Sequence, residues 1–385
     1  MRTLVFLLLL VISARLLAQS PKFERQTIDG DIQIGYGIAL GRVDADEKTD
    51  IVLADKNEIA WYQNPGNAGK PWTKHVIARN LTSRDNVCVA ARDITGDGLV
   101  EIAVGANWNP RDTVNVDASG ACFYLQRPAD PTKPWKPIPL EPHEPTTHRM
   151  HWLETEDGQM VLAVLPLHGV GNERNAGKTV QVSMFGIEDN APKYLGKVDA
   201  NMHATHNFDV ITDPEFGDTE FMLIAGKEGY AIAGVNGDSI IFLDNSQSKG
   251  AGEVRRYPVG ERVLVSIEPM HGTDVVLYRE AGPDNWEKTI LDQTLNGGHA
   301  LAAGNLFGSE TPEVVAGWRN PDAQGKTGIR CYSKTSDGWK SHTVDDNTIA
   351  CEDLKLADLN GDGKLDIIGA GRGSKNVVVY WNRSN

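Results

Sequence analysis

Seven of the ten histidines in this 385-residue chain lie between residues 148 and 299: His148, His151, His168, His203, His206, His271 and His299. Imidazole changes charge near neutral pH, so it can accept a proton, donate one or bind a divalent metal. Lys56, Lys227, Arg319 and Arg372 recur at comparable places in their own segments, as do Asn107, Glu352 and Tyr36. Histidines and cations crowded together repel one another and lose hydration unless something compensates. A bound metal, an anionic ligand or a polyhydroxylated sugar would do so.

A second set of residues carries hard oxygen ligands. Asp358, Asn360, Asp362 and Asp366, with the Lys364 carbonyl between them, alternate along one loop, and Gly361 and Gly363 permit its tight turns. That arrangement suits calcium, which takes six to eight oxygens from a flexible loop. Asp93, Thr95, Asp97 and Glu101 form a weaker copy; Asn305 and Ser309 are poor substitutes, and the loop at Asp44 is two residues short. Any such calcium is expected to be structural.

These loops belong to a repeat. The segment 353–372 alternates into an acidic loop and leaves through an apolar run, and 93–107, 305–319 and 44–56 repeat it. Looser copies cover 207–227 and 151–168, and 262–272 matches 159–169. The loop anchors near 44, 93, 155, 213, 256, 305 and 358 define seven units averaging about 52 residues, a period that indicates propeller blades. Outer fourth strands are expected at 72–77, 286–291 and 339–344, each opening on a tryptophan. The unit ending at 377–381 lacks such a strand, and Phe23–Ile28 resembles one. The expected fold is therefore all-β, a seven-bladed propeller over 19–385 closed by its N-terminal strand, with no open sheet edge at the seam.

Within a blade the first strand runs down the channel and the second returns, so residues sort onto two faces. The acidic loops fall at the bottom. At the top lie the second-strand exits Lys56, Asn107, His168, Lys227, His271, Arg319 and Arg372. The first-strand starts add Tyr36, Asn86, His148, His151, His203, His206, His299 and Glu352. All seven clustered histidines are thus expected at one mouth, where they should pack against little. His75 and His342 fall on outer strands and His143 in a proline-rich connection.

The rest of the composition narrows the setting. Met1-Arg2, an apolar run from Leu4 to Ile12 and small residues near Ala18 read as a signal peptide over 1–18, predicting a periplasmic or secreted protein. No stretch is apolar for long enough to span a bilayer. A net charge of −14 disfavours nucleic acid as a partner. Cys88, Cys122, Cys331 and Cys351 match no zinc spacing; export permits disulfides, but three of the four sit in strand-like runs and read as buried thiols.

The repeats resemble those of the FG-GAP/VCBS propellers. More narrowly, Thr147-His148-Arg149-Met150-His151, Leu167-His168-Gly169, His203-Ala204-Thr205-His206-Asn207, Gly298-His299 and Gly371-Arg372 resemble the propeller domain of aldos-2-ulose dehydratases. That family eliminates water from keto-sugars in a metal-containing mouth, which implies a sugar dehydratase or lyase here; its additional C-terminal domain and isomerising activity are not carried over. Elimination beside a carbonyl needs a base, an acid and stabilisation of the enolate. His151 and His206 are candidate bases, with His148 and Arg372 the other catalytic candidates. His168, His203, His271 and His299 are candidate ligands of zinc or another divalent metal. Lys227, Arg319, Asn107, Glu352 and Tyr36 are candidate contacts to a carbohydrate or keto-sugar. Two alternatives stand beside this: a polysaccharide lyase whose cations pair a uronate carboxylate, and a non-catalytic binding propeller.

Overall fold

The computed structural model describes residues 21–384, apart from 175, 189–190, 213–218, 236, 238, 245, 258–262, 283–284 and 310. The expected signal peptide, and the loop copies at 213 and beyond 256, lie outside the described residues. The chain forms 28 strands, β1 to β28 in chain order, and among the described residues no helix. They group into seven four-stranded antiparallel sheets, each a blade.

The innermost strands are β2 (Gly37–Gly41), β6 (Cys88–Arg92), β10 (Thr147–Glu154), β14 (Thr205–Thr212), β18 (Glu253–Arg256), β22 (Gly298–Gly304) and β26 (Cys351–Ala357). Each touches the next, and β26 touches β2, so they make a ring. The second strands are short apolar runs such as β3 (Asp50–Ala54), β7 (Glu101–Ala106) and β27 (Asp366–Gly371), and every residue in these three is buried. Strands covered on both faces lose the polar alternation of a half-exposed sheet. The core accordingly lies between blades: Val52 and Trp61 of one pack with Val104 and Leu125 of the next.

Ring closure follows the expectation. β1 (Phe23–Asp29) pairs antiparallel with β28 (Asn376–Asn382), from Phe23 opposite Asn382 to Asp29 opposite Val377. Trp381 is fully buried, and its indole N–H donates to Gln26 Oε1 at 2.8 Å. Deleting residues 22–29 would bare the whole edge of β28. We expect a loss of more than about 4 kcal/mol, beyond the usual range of single substitutions. Urea denaturation measures it; an unchanged midpoint would contradict closure by this strand.

Four of the bottom loops share one device. The acid opening the second strand turns inward and accepts a main-chain N–H from the start of its own loop. Asp50 takes Val43 N–H at 3.0 Å, Glu101 takes Ile94 at 3.1 Å, Glu313 takes Leu306 at 2.8 Å and Asp366 takes Leu359 at 3.1 Å. Burial, reinforced by Asp44 and Asp46, pushes the Asp50 carboxyl up to about 7. A carboxyl whose folded value is raised keeps its proton while the unfolded chain has already lost it. Its contribution therefore falls as pH rises from about 4 to about 7. Across that window wild type should lose stability relative to Asp50→Asn by up to a few kcal/mol. Parallel denaturation curves at all pH values would show that Asp50 ionises normally.

Candidate functional site

Four inner strands carry an irregularity at one equivalent position. The ladder slips between Thr147 and Arg149, between Thr205 and Asn207, between Gly298 and Ala300, and between Cys351 and Asp353. The residues left out of register are His148, His206, His299 and Glu352. The inner strands β2, β6 and β18 pair without such a shift. A bulge breaks the strict alternation of a strand and re-aims one side chain. Here it turns four polar side chains to the channel mouth while their neighbours keep the ladder.

Three imidazoles converge there. The ring nitrogens of His206, His271 and His299 that could serve as ligands all lie within 4.8 Å of one another. His206 Nδ1 donates to the Gly252 carbonyl at 2.7 Å, and His299 Nδ1 to the Glu352 carbonyl at 2.6 Å. Each bond places the ring proton on Nδ1 and leaves the Nε2 lone pair facing its neighbours, the tautomer a metal ligand requires. Gly252 also lets the chain pass close to the 270–271 backbone: a Cβ there would stand 3.1 Å from the main-chain nitrogen of His271 and 3.2 Å from Met270 Cα. His271 arrives from the second-strand exit with a φ of 55°, and its Nε2 lies 2.7 Å from His206 Nε2. Burial, with the charge of Arg319, holds His299 well below the ordinary imidazole range; burial, His206 and Arg319 do the same to His271. His206 and His299 turn Nε2 toward the shared centre and His271 meets them there, so the donor set fits a divalent metal such as zinc.

His148 is different. Its ring stands 4.7 Å from that of His206 and 5.0 Å from Trp108, and Arg149 Nη1 donates to its Nδ1 at 2.8 Å. A guanidinium cannot accept, so His148 carries its own proton on Nε2 and offers a donor to the mouth. Beneath His206 lies Glu253, 1 % exposed, with Oε1 3.3 Å from His206 Nδ1 and Oε2 3.3 Å from Arg255. Burial alone would raise this carboxyl, but His206 and Arg255 hold it ionised, at about 2. Glu253 Oε1 has no hydrogen-bond donor of its own.

Beside the histidines sits an acid held by two arginines. Arg319 Nη1 reaches both oxygens of Glu352 at 2.9 and 2.8 Å, and Arg372 Nη1 reaches Oε1 at 2.8 Å. Arg372 lies over the Tyr36 ring at 5.2 Å, and Tyr36 donates to Asp85 at 2.9 Å. Glu352 is 2 % exposed, and its Oε1 is 4.0 Å from His299 Nε2.

The other predicted residues are dispersed. His151 lies halfway down β10 against Phe208, in a cavity also lined by Arg149, Asn207, Arg255 and Lys355; burial, with Lys355 and Arg255, pulls it down to about 3. His203 pairs with Glu228 at 2.8 Å, and His168 is half-buried with its Nδ1 unpartnered. The convergent group is thus 206, 271 and 299, not the set 168, 203, 271 and 299 expected from spacing. His206 and His299 are also enclosed, at 1 % and 5 % exposed, where the sequence suggested little packing. The Asn107 amide braces its own loop at Asp117, Asn86 bonds the Asp55 carbonyl, and Lys227 stands exposed in a turn. Gly252, Glu253, Arg149 and the four bulges escaped sequence reading; the one available hint was the charged residues inside the short strand Glu253–Arg256.

On the bottom face, Asp358 accepts three loop amides, those of Gly361, Asp362 and Gly363. Asn360 and Asp362 bond each other at 3.1 Å, and burial, with Asp362 and Asp358 nearby, raises Asp366 to about 6. In the other loop Asp93 accepts Thr95, Gly96 and Gly98, while Arg127 bridges Asp97 at 2.8 Å and Glu101 at 3.4 Å. That guanidinium already supplies the second loop with a cation. All four cysteines are free and buried.

Residues 42–104, running from just after β2 into β7, match the family model of the FG-GAP-like repeat. No curated protein sequence matches the chain. Among solved structures, the chain is similar to one in a crystal structure of the mitotic checkpoint complex. The TM-score is 0.60 at 11 % identity, covering 100 % of this chain and 99 % of that one. It is similar to YCF48 bound to a D1 peptide, with TM-score 0.56 and 12 % identity over 93 % and 94 % of the two chains. It also resembles the rhamnogalacturonan lyase YesW, with TM-score 0.51 and 12 % identity over 95 % of this chain and 75 % of that one. At such identities the likeness is one of fold.

Proposed function

We propose that this propeller is a metal-dependent carbon–oxygen lyase acting on a carbohydrate, eliminating water or an alkoxide beside a carbonyl or carboxylate. The observation that carries this is the convergence of His206, His271 and His299, with two of their protons fixed away from the shared centre. A binding surface has no need of three imidazoles converging on one point. His206, His271 and His299 would hold zinc or a similar ion, which supplies a Lewis acid for the enolate when bound. The remaining chemistry falls to the chain. His168, the spare imidazole at the rim, takes the proton next to the carbonyl. His148 hydrogen-bonds the departing oxygen from Nε2 as the carbon–oxygen bond breaks and the double bond forms, and that oxygen takes its proton from water. The Gly252 carbonyl keeps the His206 ring oriented, and the Glu253 carboxylate beside it keeps the ring electron-rich. The resemblance of the mouth segments to aldos-2-ulose dehydratases favours the same chemistry, and the rhamnogalacturonan lyase YesW is a protein of similar fold named for lyase activity. Structural calcium in the Asp358 loop, and export through residues 1–18, belong to the same proposal.

Metal analysis of the purified full-length protein, with a screen of keto-sugars and uronate glycans for new ultraviolet absorbance, tests it. About one transition metal per chain and a conjugated product are expected. Calcium alone with no absorbance would leave the non-catalytic binding propeller as the better account.

A further inference from the structure

The Glu352 clamp holds more positive charge than it neutralises. Two guanidiniums meet one carboxylate, through Nη1 of Arg319 and Nη1 of Arg372. Each guanidinium has five donors, so one buried acid does not exhaust them. Both side chains retain access to solvent, 19 % for Arg319 and 41 % for Arg372, while Glu352 is sealed beneath them. With Asn320 and Gly373 they line a depression on the mouth face. The Tyr36 ring supports Arg372 from below, and the Tyr36 hydroxyl is turned away to Asp85. A pair built only to neutralise Glu352 would need one arginine.

The position also matters. Arg319 reaches the histidine centre through Glu352, which it holds at 2.8–2.9 Å. Glu352 links the two groups, with Oε1 4.0 Å from His299 Nε2 and its carbonyl bound by His299 Nδ1. An anion seated on the arginines would therefore lie next to the imidazoles. Paired guanidiniums match a planar carboxylate better than a hydroxyl or a neutral carbonyl.

We infer that Arg319 and Arg372 form a carboxylate subsite, and that the substrate is an acidic sugar carrying a uronate group. This rests on the lyase proposal above for its chemistry but not for its binding. Neutralising the carboxylate acidifies the carbon–hydrogen bond beside it. The proton leaves to the base, the carbon–oxygen bond one carbon further breaks, a double bond forms in conjugation with the carboxylate, and the departing oxygen is protonated. No redox partner is required.

The test is calorimetric titration of the full-length, metal-replete protein with d-glucuronate, d-galacturonate and d-mannuronate, each beside its methyl ester. At least one acid should bind ten-fold or more tightly than its ester, and Arg372→Gln should erase that difference while leaving the ester's affinity in place. Arg372 is the safer variant because Arg319 still pairs Glu352. Equal binding of acids and esters, no binding of any acid, or a preference that survives Arg372→Gln overturns the subsite. An acid preference without an elimination product keeps the subsite and refutes the lyase. Elimination from neutral keto-sugars with no acid preference does the reverse.

Discussion

If the proposed metal lyase is right, replacing His299 or His206 with alanine should strip the mouth of metal and lower elimination at least about 10²-fold, the loss typical of one essential acid–base or ligand side chain. Each residue supplies an Nε2 lone pair that the other two imidazoles cannot replace. Because both rings are buried and donate to main-chain carbonyls, the variants should also lose about 1–3 kcal/mol, from a carbonyl left unsatisfied. Metal content by elemental analysis separates this stability cost from the functional loss. His342 is the matched control: its Nε2 meets Ser333 at 2.8 Å on an outer strand, far from the triad in the fold. His342→Ala should retain metal and activity. Retention of full metal content by His299→Ala would remove the triad as a metal centre.

Glu352→Gln should act in the opposite way, lowering stability while keeping the metal. Glutamine preserves shape but leaves Arg319 and Arg372 facing each other without an anion. Removing one partner of a buried ion pair costs about 3–5 kcal/mol, and the part-exposed Arg372 can relax into water, so the lower end is expected. His299 bonds the main-chain carbonyl of residue 352, which the substitution leaves in place. Urea denaturation with metal analysis reads both effects. A variant as stable as wild type would mean the arginines do not depend on Glu352; one that loses metal would mean the carboxylate itself organises the triad.

Much of the fold was legible because a propeller repeats. The acidic loop followed by an apolar run occurs often enough to set a period, and the tryptophan-led outer strands located the segment that closes the ring. Glu101 and Asp366 were read as calcium ligands from spacing. The structure shows in addition that, with Asp50 and Glu313, they fasten their loops through backbone N–H groups.

The site was legible only in part. Sequence alone placed the histidines and cations at the starts of first strands and the exits of second strands, since strand direction fixes the end of the blade a residue reaches. Which of them meet was decided by the tertiary structure. His203 and His206 are three residues apart, yet one pairs with Glu228 and the other turns inward on a bulge. His151 shares a strand with His148 but lies lower in the channel, where alternation and the bulge send it among Arg255 and Lys355. Strand periodicity predicts a face; a one-residue slip in the ladder reverses it, and that slip is a matter of register against the next strand, which periodicity does not carry. Charge pairing is non-local: Glu352 meets Arg319 from the preceding blade and Arg372 from its own because the ring holds the inner strands side by side.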